Sequence, residues 1–213
     1  MNLMNSQPVR QRMKWALVIL FFAMLFPLIS VSGAEVEGEF KAIGKVPEKG
    51  SQKTLVFEEF LNFTCPHCNN FRTASKPLLV KYAKRIRYEA IPILFRGQSD
   101  YPLRLYYIAQ RAGREHEIKE LLFDATFKYG VNVYDPTIVT HLSRSAGLGE
   151  EYKRDADSEW VSKKLLEGER RAALAGVEAT PTVILAGAIS MTPTTGMQTF
   201  VNNLENVISQ LLQ

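Results

Sequence analysis

The alternation of apolar and polar residues along the chain predicts strands and helices in a mixed order. Residues 54–63 are rich in Phe, Leu and Val with two acidic residues embedded, which is typical of a buried strand. Helical spacing follows Pro66 and continues to about Lys84. Pro77 is expected to kink or break that helix because proline lacks an amide donor. Residues 87–93 then alternate as a second strand and are followed by a turn.

Helical patterns dominate residues 101–175. Residues 115–128 carry apolar side chains at three- and four-residue intervals, which predicts an amphipathic helix. Asp135 followed by Pro136 is typical of a helix start, and Gly147 of its end. Residues 158–175 form a further predicted helix, whose apolar residues are Trp160, Val161, Leu165 and Leu166.

Strand patterns return only near the end of the chain. Residues 182–186 are predicted to pair in a hairpin with residues 188–191 across Gly187, and residues 197–212 form a last amphipathic helix. This order predicts an α/β fold with a helical insertion between its two halves. We therefore divide the chain into a first half at 35–97, a helical insertion at 98–175 and a second half at 176–213.

Residues 1–34 match a secretory signal peptide. Arg10, Arg12 and Lys14 precede an apolar stretch at 15–31, and small residues lead to Ala34, after which we expect cleavage. The alternative is an uncleaved membrane anchor, because the apolar stretch has about the shortest length that spans a bilayer. Pro27 and the small residues favour cleavage.

The net charge excludes one class of partner. The chain has 26 Lys and Arg residues and 22 Asp and Glu residues, and the three basic residues of segment 1–34 leave 23 in the remainder. That remainder is nearly neutral. Overall basicity therefore gives no support to nucleic-acid binding.

Two cysteines, Cys65 and Cys68, lie in the sequence Cys-Pro-His-Cys (CPHC). A disulfide across so short a loop constrains the unfolded chain by only about 2 kcal/mol, against nearly 5 for a loop of about a hundred residues. An exported chain with a single pair at this spacing is therefore better explained by thiol chemistry than by a structural bridge.

The residues around the CPHC sequence predict how the two thiols differ. Pro66 suits the first turn of a helix, which places Cys65 at the helix N-terminus and Cys68 one turn further in. Backbone amides and the helix dipole favour the thiolate of Cys65, which would be the attacking sulfur, with Cys68 as the resolving thiol. An imidazolium or imidazole N–H of His67 close to the sulfur would stabilise the anion further.

Zinc binding is the competing explanation for a cysteine pair at this spacing. A structural zinc site needs four ligands, and besides carboxylates the chain offers only His67, His116 and His141. We expect His116 and His141 to be surface residues and no metal site to form. Binding of a soft ion such as Cu(I) by the reduced pair stays open as a side activity.

Two motifs resemble the DsbA family of bacterial disulfide oxidoreductases, which has the thioredoxin fold. The first is the strand Glu59-Phe60-Leu61-Asn62-Phe63-Thr64 running directly into the CPHC sequence, and the second is Gly176-Val177-Glu178-Ala179-Thr180-Pro181-Thr182. The resemblance covers residues 54 to the end and implies a thioredoxin fold with an inserted all-helical subdomain between its two halves.

The resemblance also implies roles for individual residues. Cys65 is the nucleophile of a redox-active Cys65–Cys68 disulfide, and Pro66 and His67 between them tune its potential. Pro181 is expected to be a cis proline beside the sulfurs, with the backbone of Thr180 binding an extended substrate. Glu59 is expected to be a buried acid that assists proton transfer from Cys68. Its neighbour Glu58 competes for that role, since alternation along a strand buries only one of them.

The expected function is that of a periplasmic enzyme that introduces disulfide bonds into reduced, unfolded secreted proteins. A membrane quinone-linked reoxidase, DsbB-like or VKOR-like, is the expected redox partner, with no cofactor, no nucleic acid and a monomeric state. Threonine before the loop proline also occurs in reductase and isomerase relatives. A reductase or isomerase of the same fold is therefore one alternative. A metal carrier or chaperone on the same scaffold is the other alternative.

Overall fold

The computed structural model of the protein describes residues 35–212. The predicted signal segment at 1–34 lies outside the described residues, and both its cleavage and its retention as an anchor stay predictions. Between residues 35 and 212, no helix combines the length and the hydrophobicity needed to cross a membrane.

A five-stranded mixed sheet forms the centre of the described region, in the order β1-β5-β4-β2-β3. Strands β2 and β3 are parallel, and the other neighbouring strands are antiparallel. The long predicted strands are confirmed, although the first is shorter and the second begins one residue earlier than predicted. The strand bounds are Lys41–Ala42 (β1), Leu55–Leu61 (β2), Ile86–Pro92 (β3), Thr182–Leu185 (β4) and Ile189–Met191 (β5).

The helix predicted after Pro66 is broken in two, as expected from Pro77. The first part, α1, spans Pro66–Ala74, and the second, α2, spans Lys76–Lys81, with the buried Ser75 between them. Pro77 lies in the first turn of α2, where its missing amide donor removes no helical hydrogen bond. The second helix ends three residues before the predicted Lys84 because Tyr82 leaves the helical conformation.

Five helices make up the inserted segment within the described residues. Asp135 caps one of them as predicted, accepting hydrogen bonds from the backbone N–H groups of Thr137 at 2.7 Å and Ile138 at 3.4 Å. The short helix α6 was not predicted separately, because seven residues are too few for a clear apolar period. The bounds are Tyr101–Arg111 (α3), Glu115–Phe127 (α4), Pro136–Ser145 (α5), Gly149–Asp155 (α6) and Glu159–Leu174 (α7).

One residue of the predicted apolar face of α7 is misplaced. Leu166 is 64% exposed, whereas Val161 and Ala172 are buried. The apolar face of α7 is therefore narrower than the sequence suggested. The last helix, α8, spans Met197–Leu211 and matches the prediction closely.

The sheet has a buried apolar cluster on each face. On one face, α1 and α8 pack against β2, β4 and β5, and the helical insertion continues this layer past the end of β2. On the other face, Ala172 of α7 packs against Phe60, Ile91 and Ile184. Cys68 is fully buried in the cluster that also contains Leu61 and Phe63, so the CPHC sequence lies where the sheet, α1 and the insertion meet.

Candidate active site

Cys65 is the N-cap residue of α1, and Pro66 is the first residue of the helix. The backbone of Cys65 is extended (φ −81°, ψ 118°), which is the conformation that a following proline favours. Its carbonyl oxygen accepts the backbone N–H of Asn69 at 3.1 Å and so begins the helix. The placement predicted from Pro66 is confirmed.

The two thiols are free in this structure and have opposite environments. The sulfur of Cys65 is partly exposed, and its pKa is lowered to about 5. The hydrogen bond from the Cys68 thiol is the main cause; the Thr180 side chain and the backbone amides of Cys68 and His67 add to it, against the effect of burial. Cys68 has no exposed surface, and burial raises its pKa far above the usual value for a thiol. This environment therefore favours the thiolate of Cys65 and the protonated thiol of Cys68.

The peptide bond between Thr180 and Pro181 is cis, as predicted. Antiparallel pairing of β4 with β2 places Thr182 opposite Phe60, so the loop before β4 lies at the end of β2 that leads to Cys65. The thiol of Cys65 donates to the carbonyl oxygen of Thr180 at 3.2 Å. The hydroxyl of Thr180 is buried and has no hydrogen-bond partner among the described residues, so it is available to the sulfur when Cys65 ionises.

The side chain of His67 is exposed on the first turn of α1. Its backbone amide lowers the pKa of Cys65, and its imidazole is not among the main causes of that shift. The tuning roles of His67 and of the exposed Pro66 stay predictions.

Strand alternation separates the two acidic residues of β2. Glu59 is 2% exposed, whereas Glu58 faces the opposite side of the sheet and pairs with Arg171 of α7. The hydroxyl of Tyr88 donates to the Glu59 carboxylate, and the ammonium of Lys119 donates to that same hydroxyl at 2.6 Å. The Lys119 nitrogen lies 3.6 Å from the nearest carboxylate oxygen of Glu59. Glu59 is therefore the buried acid, held in a network with a tyrosine of β3 and a lysine of the insertion.

The sequence did not single out Tyr88 or Lys119. Lys119 belongs to the predicted helix at 115–128, where its neighbours Glu117 and Glu120 suggest a solvated face. The available signal was its position next to Ile118 and three residues before Leu122, both of which are buried.

A second polar network, also missed, surrounds the strand end before Cys65. Asn62 is 1% exposed, and its amide nitrogen donates to the Ile93 carbonyl at 2.9 Å and to the Gln98 side chain at 2.8 Å. Its amide oxygen accepts from the Thr64 hydroxyl at 2.9 Å and from the Tyr134 hydroxyl at 3.1 Å. We call Asn62, Thr64, Gln98 and Tyr134 the Asn62 network. It joins the β2–α1 loop to the segment after β3 and to the insertion, and so holds the loop that leads to Cys65.

The two remaining histidines lie on the surface, as expected. His116 of α4 and His141 of α5 are exposed. Within residues 35–212, no three His, Cys, Asp or Glu side chains converge as a set of metal ligands.

A cavity of about 410 Å³ lies beside the cis-proline loop. Ala179 and Thr182 form its wall next to Thr180, and Met191 and Phe200 contribute apolar surface. Four threonines also line it, namely Thr192, Thr194, Thr195 and Thr199. The site therefore combines a partly exposed sulfur with a lowered pKa, a backbone carbonyl beside it and an adjoining cavity.

Comparison with known proteins agrees with this geometry. Residues 46–203 match the family described as "Thioredoxin". A protein of Pectobacterium carotovorum named "Thiol:disulfide interchange protein DsbA" is 28% identical over 162 residues, which cover 72% of this chain and 76% of that protein. A protein of the same name from Pseudomonas syringae pv. tomato is 27% identical over 143 residues, covering 67% of this chain and 66% of that protein.

Solved structures share the fold. A crystal structure of a single-residue variant of Pseudomonas aeruginosa DsbA superposes with a TM-score of 0.68 at 19% identity and covers 81% of this chain and 94% of that one. The DsbA oxidoreductase of Xylella fastidiosa superposes with a TM-score of 0.65 at 20% identity, covering 78% and 97%. The predicted thioredoxin fold with an inserted helical subdomain is confirmed.

Proposed function

The chain belongs to the thioredoxin family as a thiol:disulfide oxidoreductase, and we propose that it works in the oxidising direction, introducing disulfide bonds into secreted proteins. The observation that carries this proposal is the pKa of about 5 at Cys65. A stable thiolate at Cys65 favours the reduced state of the protein, which makes the Cys65–Cys68 disulfide a strong oxidant.

The exchange proceeds in two steps. A substrate thiolate attacks the sulfur of Cys65, the Cys65–Cys68 bond breaks, and Cys68 leaves as a thiolate that takes up a proton. A second thiolate of the substrate then attacks the substrate sulfur of the mixed disulfide and releases the thiolate of Cys65. Two electrons pass from the substrate dithiol to the protein, and the substrate gains one disulfide.

The pKa difference sets the direction of the second step. Each pKa unit corresponds to about 1.4 kcal/mol, which for a two-electron couple is about 30 mV. Cys65 is partly exposed, so solvent screening reduces the free energy that its pKa shift supplies. The shift still extends over several units, and it favours release of Cys65 as the leaving group.

An extended substrate strand fits beside the sulfur of Cys65. The Thr180 carbonyl lies next to that sulfur and can accept a hydrogen bond from a backbone N–H of the substrate. Such binding depends on the substrate backbone more than on its side chains. The neighbouring cavity has room for a side chain of the bound strand. We propose reduced, unfolded secreted proteins as substrates, with Thr180 and Pro181 as the binding residues.

Cellular context completes the proposal. We place the protein in the periplasm as a monomer, delivered by residues 1–34, which are either removed or kept as an anchor. A membrane quinone-linked reoxidase, DsbB-like or VKOR-like, restores the disulfide. These assignments rest on the predicted signal segment and on the DsbA relatives.

The redox equilibrium of the purified protein with glutathione tests the proposed direction. We expect a potential near the value of about −120 mV that applies to DsbA. A value near that of thioredoxin, about −270 mV, would overturn the oxidase assignment and support a reductase. Trapping the thiols in intact cells gives a second readout, since an oxidase is recovered mainly as the disulfide and a reductase or isomerase as free thiols.

Replacement of both cysteines separates catalysis from binding. The double variant Cys65→Ser, Cys68→Ser should lose all complementation of a strain that lacks disulfide formation. Full complementation by that variant would instead favour a chaperone or carrier function.

A further inference from the structure

Three side chains form a hydrogen-bonded chain in which every donor points toward Glu59. The ammonium of Lys119 donates to the Tyr88 hydroxyl at 2.6 Å, and that hydroxyl donates to the Glu59 carboxylate. Lys119 is 6% exposed and Glu59 2%, although both carry ionisable groups. Buried ionisable groups are costly to keep, so a continuous chain of them points to a role beyond packing.

One end of this chain lies beneath α1. Phe57, Glu59 and Leu61 share one face of β2, because successive side chains of a strand alternate. Phe57 packs in the same cluster as Phe71, and Leu61 packs in the same cluster as Cys68. Cys68 and Phe71 are one turn apart on α1. Glu59 lies between Phe57 and Leu61 on β2, and therefore beneath this turn of the helix.

The other end opens to solvent, away from Cys65. Tyr88 and Lys119 line a cavity of about 390 Å³ together with residues of α2. Its outer wall includes Val80, which is 69% exposed. The charged or titratable groups facing the cavity are Arg72 of α1, Lys76 of α2, and His116 and Glu120 of α4. Arg72 pairs with Glu120 at 3.0 Å and with Asp124 at 2.9 Å.

Cys68 needs a route for its proton. When substrate reduces the Cys65–Cys68 disulfide, Cys68 leaves as a thiolate on a sulfur with no exposed surface. Burial disfavours that anion and raises the pKa of Cys68 far above the usual value. Solvent therefore has no direct access to the atom that must be protonated.

We propose that Tyr88 and Lys119 are positioning residues that relay protons between this cavity and Glu59, which exchanges them with Cys68. The inference rests on the proposed function, because it concerns the leaving group of that reaction. Lys119 comes from the helical insertion, so the insertion takes part in the chemistry of the thioredoxin half.

The relay balances protons and charge. As Cys68 leaves, a proton moves from the Lys119 ammonium to the Tyr88 oxygen, the Tyr88 proton moves to Glu59, and Glu59 delivers a proton to the Cys68 thiolate. Glu59 and Tyr88 return to their starting states, and neutral Lys119 takes up a proton from solvent in the cavity. Reoxidation of the dithiol runs the same transfers in reverse.

The test is the rate at which dithiothreitol reduces the disulfide of the full-length protein, followed by rapid quenching and thiol alkylation over a range of pH. Tyr88→Phe removes the central hydroxyl with almost no change in shape. Because general acid–base catalysis contributes at least about a hundredfold, we expect Tyr88→Phe to slow reduction by about tenfold or more and to change its pH profile. In D2O, the wild-type rate should fall more than the variant rate.

Further variants separate proton transfer from charge. Lys119→Arg keeps a cation that does not release its proton, and Lys119→Met removes the charge. If Lys119 relays protons, both variants should slow the reduction. If Lys119 acts only through its charge, only Lys119→Met should slow it. Lys76→Met, at the exposed rim of the same cavity, should retain the wild-type rate. In a Glu59→Gln background, Tyr88→Phe should have no further effect.

Two results would overturn the relay. One is a Tyr88→Phe protein with the wild-type rate, pH profile and isotope effect; the other is wild-type behaviour of Lys119→Arg. The glutathione equilibrium and the alkylation rate of Cys65 are measured on the same variants. If the relay is wrong but the redox potential and the alkylation rate of Cys65 are those of an oxidase, the oxidase assignment still holds. The two proposals can therefore be rejected independently.

Discussion

The thiol of Cys65 donates a hydrogen bond across 3.2 Å to the backbone carbonyl oxygen of Thr180, 115 residues further along the chain. A carbonyl accepts from the thiol and cannot donate to the thiolate, so this bond favours the protonated form. The thiolate is instead stabilised by Cys68, by the Thr180 side chain and by two backbone amides. Ionisation of Cys65 therefore leaves the Thr180 carbonyl free to accept another donor, such as a substrate amide.

Titration of the reduced protein should show one thiolate forming with a midpoint near pH 5. The ultraviolet absorbance of the thiolate measures it directly, and Cys65→Ser should abolish this transition. Alkylation by iodoacetamide should follow the same curve, because the thiolate is the nucleophile. A midpoint in the range of an ordinary thiol would contradict the environment described for Cys65.

Removing the Cys68 thiol should raise the pKa of Cys65. A hydrogen bond to a charged group contributes about 1.5–3 kcal/mol, which corresponds to about one or two pKa units. Cys68→Ala removes the donor and should produce that shift in the absorbance titration. Cys68→Ser keeps a hydroxyl donor at the same position, so its shift should be smaller; equal shifts in the two variants would show that the donor does not matter.

The reduced protein should gain stability relative to the oxidised protein as the pH rises from about 5 toward 9. The pKa of Cys65 is lower in the folded than in the unfolded state, so in this range the unfolded state binds more protons and stability increases with pH. Cys68 opposes the trend only above about pH 9, because burial raises its folded pKa.

The difference in melting temperature between reduced and oxidised protein, measured across this range, isolates the contribution of the thiols. Groups that titrate equally in both redox states cancel in this comparison. We expect the pH-dependent part of this difference to disappear as the pH falls below about 5, which leaves a constant difference due to the disulfide itself. A difference independent of pH would rule out a stabilising thiolate.

Asn62→Ala should destabilise the protein by about 2–3 kcal/mol, because it leaves several buried hydrogen-bonding groups without their partner. Urea unfolding measures this change. Asn202→Ala on the exposed face of α8 is the matched control and should change stability by no more than about 0.5 kcal/mol. Since the Asn62 network holds the loop that leads to Cys65, Asn62→Ala should also slow alkylation of Cys65. Normal stability and reactivity would show that the network is dispensable.

Local patterns in the sequence determined the elements and the chemistry of the CPHC segment. Pro66 favours the first turn of a helix and an extended Cys65 before it, so the position of both thiols followed from neighbouring residues. The strand–helix–strand order followed from apolar periodicity, and alternation along β2 required Glu58 and Glu59 to face opposite sides. The motifs that resemble the DsbA family led to the cis proline at Pro181.

Only the tertiary structure decided what surrounds the sulfurs and the buried acid. The register of β4 on β2 brings Thr180 to Cys65, and the packing of α4 buries Lys119 against Tyr88. The Asn62 network likewise joins residues from three separate segments. These contacts depend on how distant elements dock, and local spacing carries little information about docking because each segment has the same local pattern whichever neighbour it meets.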